Sequence, residues 1–180
     1  MKDAALFLLA TFFSVASRNA LAQDMQQQSQ SATGNWIISE TTSPVDYSPV
    51  VVAITRSRDS SENPAMQLSV YCRNGQTYIV LTGPAISSRR DNYAISYSVN
   101  GGEPTRAEAS PASFGAGAAF RGDVVRLLQA FPDEGEIAIR LATQTGSTRE
   151  GYFSLSGLKV VRSKVAAACK WPRVNTQPRN

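Results

Sequence analysis

Two thiols, Cys72 and Cys169, and the complete absence of histidine decide what chemistry this chain can do. Without histidine, no Ser-His-Asp or Cys-His arrangement can form. Histidine-based zinc sites and facial triads are excluded on the same ground. The two cysteines lie far apart in sequence, so there is no Cys-x-x-Cys redox motif. A pair of carboxylates, as used in glycoside hydrolysis, is the remaining option. Asp46, Asp91, Asp123 and Asp133 all fall in turns or at a helix start. Aspartate at such places usually caps or turns the chain, and no two of these stand out as a pair. Ser163 and Lys164 are adjacent on a helical stretch, so they point to different faces. Gly115 and Gly117 lack the Gly-x-Gly-x-x-Gly or Gly-Lys-Ser/Thr context that cradles phosphate. The expectation is a protein that is not an enzyme and has no cofactor and no metal.

The thiols take their meaning from the compartment. Residues 1–22 read MKDAALFLLATFFSVASRNALA. Lys2, an apolar stretch from Ala4 to Ala16, and Ala20-Leu21-Ala22 before Gln23 are the grammar of a signal peptide. The apolar stretch is shorter than the roughly 20 residues that cross a bilayer. No cysteine directly follows the leader, and no later segment is long and apolar enough to span. The predicted location is the periplasm, with no stable membrane insertion. In an oxidising compartment two cysteines of one domain pair. A Cys72–Cys169 disulfide would pin the C-terminal helix to a strand. Its loop of roughly 100 residues is worth about 4–5 kcal/mol in the chain-entropy account.

The elements that must position these residues are mostly strands. Residues 23–33 (QDMQQQSQSAT) are polar and read as a flexible spacer. Residues 34–172 fit one β-rich domain, and 173–180 a flexible tail. Asn35 to Ser39, Val50 to Arg56, Met66 to Arg73, Gln76 to Leu81, Asn92 to Val99, Glu103 to Ala109, Glu136 to Thr143 and Arg149 to Leu155 carry strand patterns. Asn74-Gly75 between two β-branched runs is a strong hairpin signal, and Asn100-Gly101-Gly102 is a second turn. Ala112 to Ala119 reads as a loop or weak strand. Val124, Leu127, Leu128 and Phe131 share one face of a short helix that starts near Asp123. Leu158, Val161, Val165 and Ala168 form the stripe of a second helix, stopped before Pro172. The predicted fold is mainly β. It is a small antiparallel β-sandwich or curled sheet with one short internal helix and a C-terminal helix.

Charge adds two candidate contact regions. The full chain carries 18 basic and 14 acidic residues. From Leu158 onward every charged residue is basic, which suggests an interaction patch of Lys159, Arg162, Lys164 and Lys170. Such a patch would make at most a weak contact with an anionic surface. No aromatic residues interleave with these charges, so nucleic acid is not an expected partner. Arg89 and Arg90 in the Ser87–Asp91 loop are a second candidate contact, of the kind an enzyme inhibitor presents. Tyr71, Tyr78, Tyr93 and Tyr97 would line the pocket of a small-ligand or lipid-binding module, or else pack across strands.

Several short motifs resemble a known family. They are Trp36, Ser43-Pro44-Val45-Asp46, Cys72-Arg73, Gln76-Thr77, Phe153-Ser154-Leu155-Ser156-Gly157-Leu158, and Cys169 near Trp171. Together they resemble the type VI secretion-associated periplasmic proteins of the VasI/TagO-like group. Tyr47 stands where that group more often has a second acidic residue, and Cys72-Arg73 reverses its usual order. The invasion-associated locus B proteins are a rival match through the early tryptophan and the exported, β-rich character. The resemblance implies an accessory or adaptor role in the cell envelope with a protein partner, and it carries over no catalytic residue. A small-ligand or lipid-binding module and an inhibitor or host-interaction protein are the alternatives.

Overall fold

Short β-branched runs punctuated by Asn-Gly dipeptides build most of the fold. A computed structural model describes residues 29–58, 65–83, 86, 93–143 and 146–172. β4 (Gln67–Arg73) and β5 (Gln76–Thr82) are joined by Asn74 and Gly75, at φ 52° and 70°. Two-residue hairpin turns of this hand need positive φ at both central residues, which asparagine and glycine tolerate best. Asn100 and Gly101 do the same at φ 51° and 72° after β6 (Tyr93–Val99).

The chain is mainly β, with two antiparallel sheets that do not close into a barrel. The larger sheet also contains β1 (Ser29–Thr33), β2 (Trp36–Thr42), β3 (Pro49–Arg56), β8 (Ala109–Pro111) and β9 (Ala118–Phe120). Its order is β1-β2-β3-β4-β5-β9-β8. The smaller sheet adds β7 (Thr105–Ala107), β10 (Glu136–Thr143) and β11 (Thr148–Ser154) to β6, in the order β11-β10-β6-β7. α1 spans Val124–Ala130 and α2 spans Leu158–Cys169.

Alternation along the strands sends Trp36, Ile38, Ala53, Leu68, Val70, Ile79 and Leu81 inward from the larger sheet. Ile95, Ile137, Ile139, Leu141 and Phe153 meet them from the smaller one. The smaller sheet leaves one row of the larger sheet for α2 to cover. That row is Glu40, Val51, Cys72 and Thr77, opposite one another across β2 to β5. Lys164 pairs with Glu40 at 2.6 Å, and the Trp171 indole donates to Thr77 Oγ1 at 2.7 Å. Between them Cys169 is bonded to Cys72, with Cα atoms 5.6 Å apart. The disulfide expected from the sequence is present, and it ties the last turn of α2 to the inner face of β4.

The start of α2 is fixed by a close backbone approach. A Cβ at Gly157 would lie 2.2 Å from the Thr33 carbonyl oxygen, and one at Gly34 would lie 2.4 Å from that of Ser156. Both glycines have positive φ, 95° and 59°, so only glycine fits at either place.

Two expectations change. The stretch read as spacer includes β1, whose backbone pairs with β2 from Ser29↔Glu40 to Thr33↔Trp36. A ladder is made by N–H and C=O groups, so a polar edge strand needs no apolar side chains. The segment from Glu103 to Ala109 is not one strand. It yields β7 in the smaller sheet and, beyond Glu108, the start of β8 in the larger. Such sheet-switching corners are how stacked sheets join at their edges. The predicted leader, residues 173–180 read as a tail, and the Ser87–Asp91 loop with Arg89 and Arg90 lie outside the described residues.

Candidate functional site

The aspartates considered for catalysis are engaged separately. Asp123 caps α1, accepting a hydrogen bond from the Arg126 amide at 2.9 Å. Asp133 pairs with Arg162, and Asp46 sits in an exposed loop between β2 and β3. Asp91 lies outside the described residues. Among the described residues no three histidine, cysteine, aspartate or glutamate side chains group as metal ligands.

The four cations of α2 and its C-cap do not form one patch. Arg162 turns inward and donates to the carbonyls of Leu128 (3.1 Å) and Phe131 (2.6 Å), besides its pair with Asp133. These acceptors lie at the C-terminal end of α1, where carbonyls have no partner within the helix. Desolvation moves the Arg162 guanidinium below its ordinary value. Lys164 is committed to Glu40. Lys159 and Lys170 are exposed at opposite ends of the helix, about 16 Å apart at 1.5 Å per residue. Two of the four, Arg162 and Lys164, are thus the cement between α2, α1 and the larger sheet.

The four tyrosines also separate. Tyr93 is buried, and Tyr97 packs edge-on to Phe131 at 5.5 Å. Tyr71 and Tyr78 face each other on the outer side of the larger sheet and clasp Phe114 edge-on, at 5.3 and 5.1 Å. Arg73 lies over the same ring at 5.5 Å. The void between the sheets, lined by Trp36, Phe120 and Ile139 among others, is about 10 Å³. That is about the room one buried water needs, so among the described residues this void is too small for a lipid or other small ligand.

The loop from Ser43 to Ser48 does present a surface. Ser43 N donates to the Ser48 carbonyl at 2.9 Å, and Tyr47 N to the Ser43 carbonyl at 3.0 Å. Asp46 Oδ1 accepts from Ser48 Oγ at 2.9 Å and from Ser48 N at 3.3 Å. Hydrogen bonds from the Ser43 and Ser48 hydroxyls and the Ser48 amide hold the Asp46 carboxyl below its usual range. This closed loop holds Val45 88% exposed and Tyr47 82% exposed. Tyr47 does so at φ 55°, a left-handed conformation that a bulky residue rarely takes. The sequence shows a Ser/Pro/Asp turn here. Its usable signal was the Val and Tyr inside that turn, where polar residues are the rule.

These features define a class: a two-sheet sandwich with a disulfide-tied C-terminal helix, a filled core and a hydrogen-bonded β2–β3 loop that exposes Val45 and Tyr47. No protein-family model matches the chain, and no curated protein matches it significantly. Among solved structures, it is similar to the crystal structure of invasion associated protein B from Bartonella henselae. The identity is 14% and the TM-score 0.48, covering 79% of this chain and 99% of that one. That neighbour bears the name of the rival resemblance, not that of the type VI secretion-associated group. The likeness carries no argument about activity or partner.

Proposed function

We propose that this chain is an exported, non-catalytic adaptor domain of the bacterial envelope that docks a protein partner through its β2–β3 loop. The observation that carries this reading is the loop's construction. Val45 and Tyr47 stand almost wholly in solvent on a backbone fixed by its own hydrogen bonds. Neither side chain serves the core. A rigid loop loses little conformational entropy on binding, and an exposed tyrosine is a common anchor of protein interfaces. The disulfide supports an oxidising compartment, and the dispersed carboxylates support a role without catalysis.

The test is a photo-crosslinking amino acid at position 47 in the producing cells, with position 103 as an exposed control. A discrete adduct with an envelope protein is expected from position 47 alone, and it should vanish in a Val45→Ser background. Equal labelling from both positions would remove the loop reading. The host-interaction alternative makes a different forecast, an adduct that forms only when host-cell surfaces are present.

A further inference from the structure

The outer face of the smaller sheet carries a groove that the docking loop does not use. Its volume is about 340 Å³, within the range of small-molecule sites. Its floor is made of small side chains that alternate outward: Ala94 and Ser96 on β6, and Ala142 on β10. Arg106 on β7 and Arg140 on β10 form its walls. Register places them on one row, Arg106↔Ser96↔Arg140, with a single strand between them. Their Cα atoms are therefore about 10 Å apart, two strand spacings. Two guanidinium groups on that baseline can both reach a group seated over Ser96.

Neither arginine is used by the fold. Arg58 and Arg162 each pair with a carboxylate, whereas Arg106 and Arg140 have no carboxylate partner among the described residues. Glu150 lies opposite Arg140 on β11, but its carboxylate accepts from the Tyr152 hydroxyl at 3.3 Å and makes no ion pair with Arg140. Both arginines are exposed and present planar forks suited to oxyanions.

We infer that this groove is a binding site for a small ligand bearing an oxyanion, with the anionic group held between Arg106 and Arg140 over Ser96. A carboxylate, phosphate or sulfate satisfies both forks, and the Ala94–Ala142 floor receives an adjoining flat body such as a sugar ring. The inference is independent of the β2–β3 loop, which belongs to the other sheet.

The experiment is amide-resolved NMR titration of the disulfide-bonded protein at low salt. The probes are inorganic phosphate, glucose 6-phosphate, glucuronate and neutral glucose. Saturable shifts confined to residues 94–96, 106 and 140–142 are expected with the three anions and not with glucose. Arg106→Gln and Arg140→Gln should each weaken binding at least tenfold while leaving other amide shifts in place, since both side chains are exposed. Raising the salt from 50 to 200 mM should weaken binding too. Tighter binding of the two sugar anions than of phosphate supports the full proposal. Equal binding of all three supports the oxyanion clamp and removes the sugar-ring floor. Absence of shifts at these residues with every anion overturns the proposal. So does a response seen only in a parallel titration with a short poly-glutamate peptide, which would make the face a protein contact.

Discussion

Replacing both cysteines by alanine should weaken the whole domain without releasing α2. The bond joins residues 97 apart in sequence. Removing it restores loop-closure entropy to the unfolded chain worth about 4.7 kcal/mol at 25 °C. Against a typical domain stability of about 5–15 kcal/mol, that is a third or more of the total. The helix has other anchors. Leu158, Val161 and Val165 are fully buried beneath it, and burying three such side chains contributes about 5–8 kcal/mol. Lys164–Glu40, Trp171–Thr77 and Arg162 add polar ties at its middle and end. The double variant should therefore keep its helical circular dichroism. Its urea midpoint should fall by about 2 M, taking a slope near 2 kcal/mol per M. The slope itself should rise as the unfolded chain expands. Native-state hydrogen exchange gives the decisive reading. Amides of α2 and β4 should open with the same free energy, since the bond acts on the unfolded ensemble. Early exchange of α2 alone would show that the bond holds the helix locally and would refute the argument. So would a stability loss under about 2 kcal/mol.

Arg162→Ala should lower stability by about 2–3 kcal/mol, the range for losing charge-assisted hydrogen bonds from a half-buried site. Arg162→Lys should recover less than half of it in urea unfolding, because a single ammonium cannot fork to the Leu128 and Phe131 carbonyls. Gly157→Ala should cost about 2–4 kcal/mol from its positive φ and its clash with the Thr33 carbonyl; a thermal midpoint within 2 °C of wild type (~0.5 kcal/mol at this size) would contradict that approach. Tyr47→Gly should leave stability unchanged or raise it by up to ~1 kcal/mol, because the left-handed backbone no longer opposes a side chain, yet it should abolish the partner adduct formed by a photo-crosslinker placed at position 45. Asp46 has a lowered folded pKa, so its loop network is intact above the ordinary carboxylate range and is lost as pH falls through the lowered value. The Ser48 amide shift should therefore titrate below the model-peptide value of about 3.9, with the core resonances unmoved.

What was legible in the sequence was what is decided locally. Asn74-Gly75 fixes a two-residue turn within four residues, and Asp123 caps α1 three residues from the amide it accepts. The Leu158–Val161–Val165 stripe buries one helix face wherever that helix docks. The disulfide was readable from two cysteines behind a predicted leader, since the sequence holds no third cysteine. β1 was not legible because its pairing is made by backbone groups that every residue carries. The four-cation patch misled for a related reason. A charge run on a helix is solvated unless something folds against it, and the partners here, Glu40 and Asp133, come from distant positions.

The same distinction separates structural from available residues at the surface. A basic side chain with a carbonyl or carboxylate in reach belongs to the fold, as Arg162 and Lys164 do. One held beside a cavity without such a partner among the described residues is available to bind, as proposed for Arg106 and Arg140. Apolar side chains sort likewise: the sandwich fills its interior to a void of about 10 Å³, while Val45 and Tyr47 are kept out of it by a loop that closes on itself. Folding alone gives no reason for Tyr47 to occupy a left-handed conformation with its ring in solvent. The proposed contact outside this chain would, and that is why loss of docking with undiminished stability is the outcome expected of Tyr47→Gly.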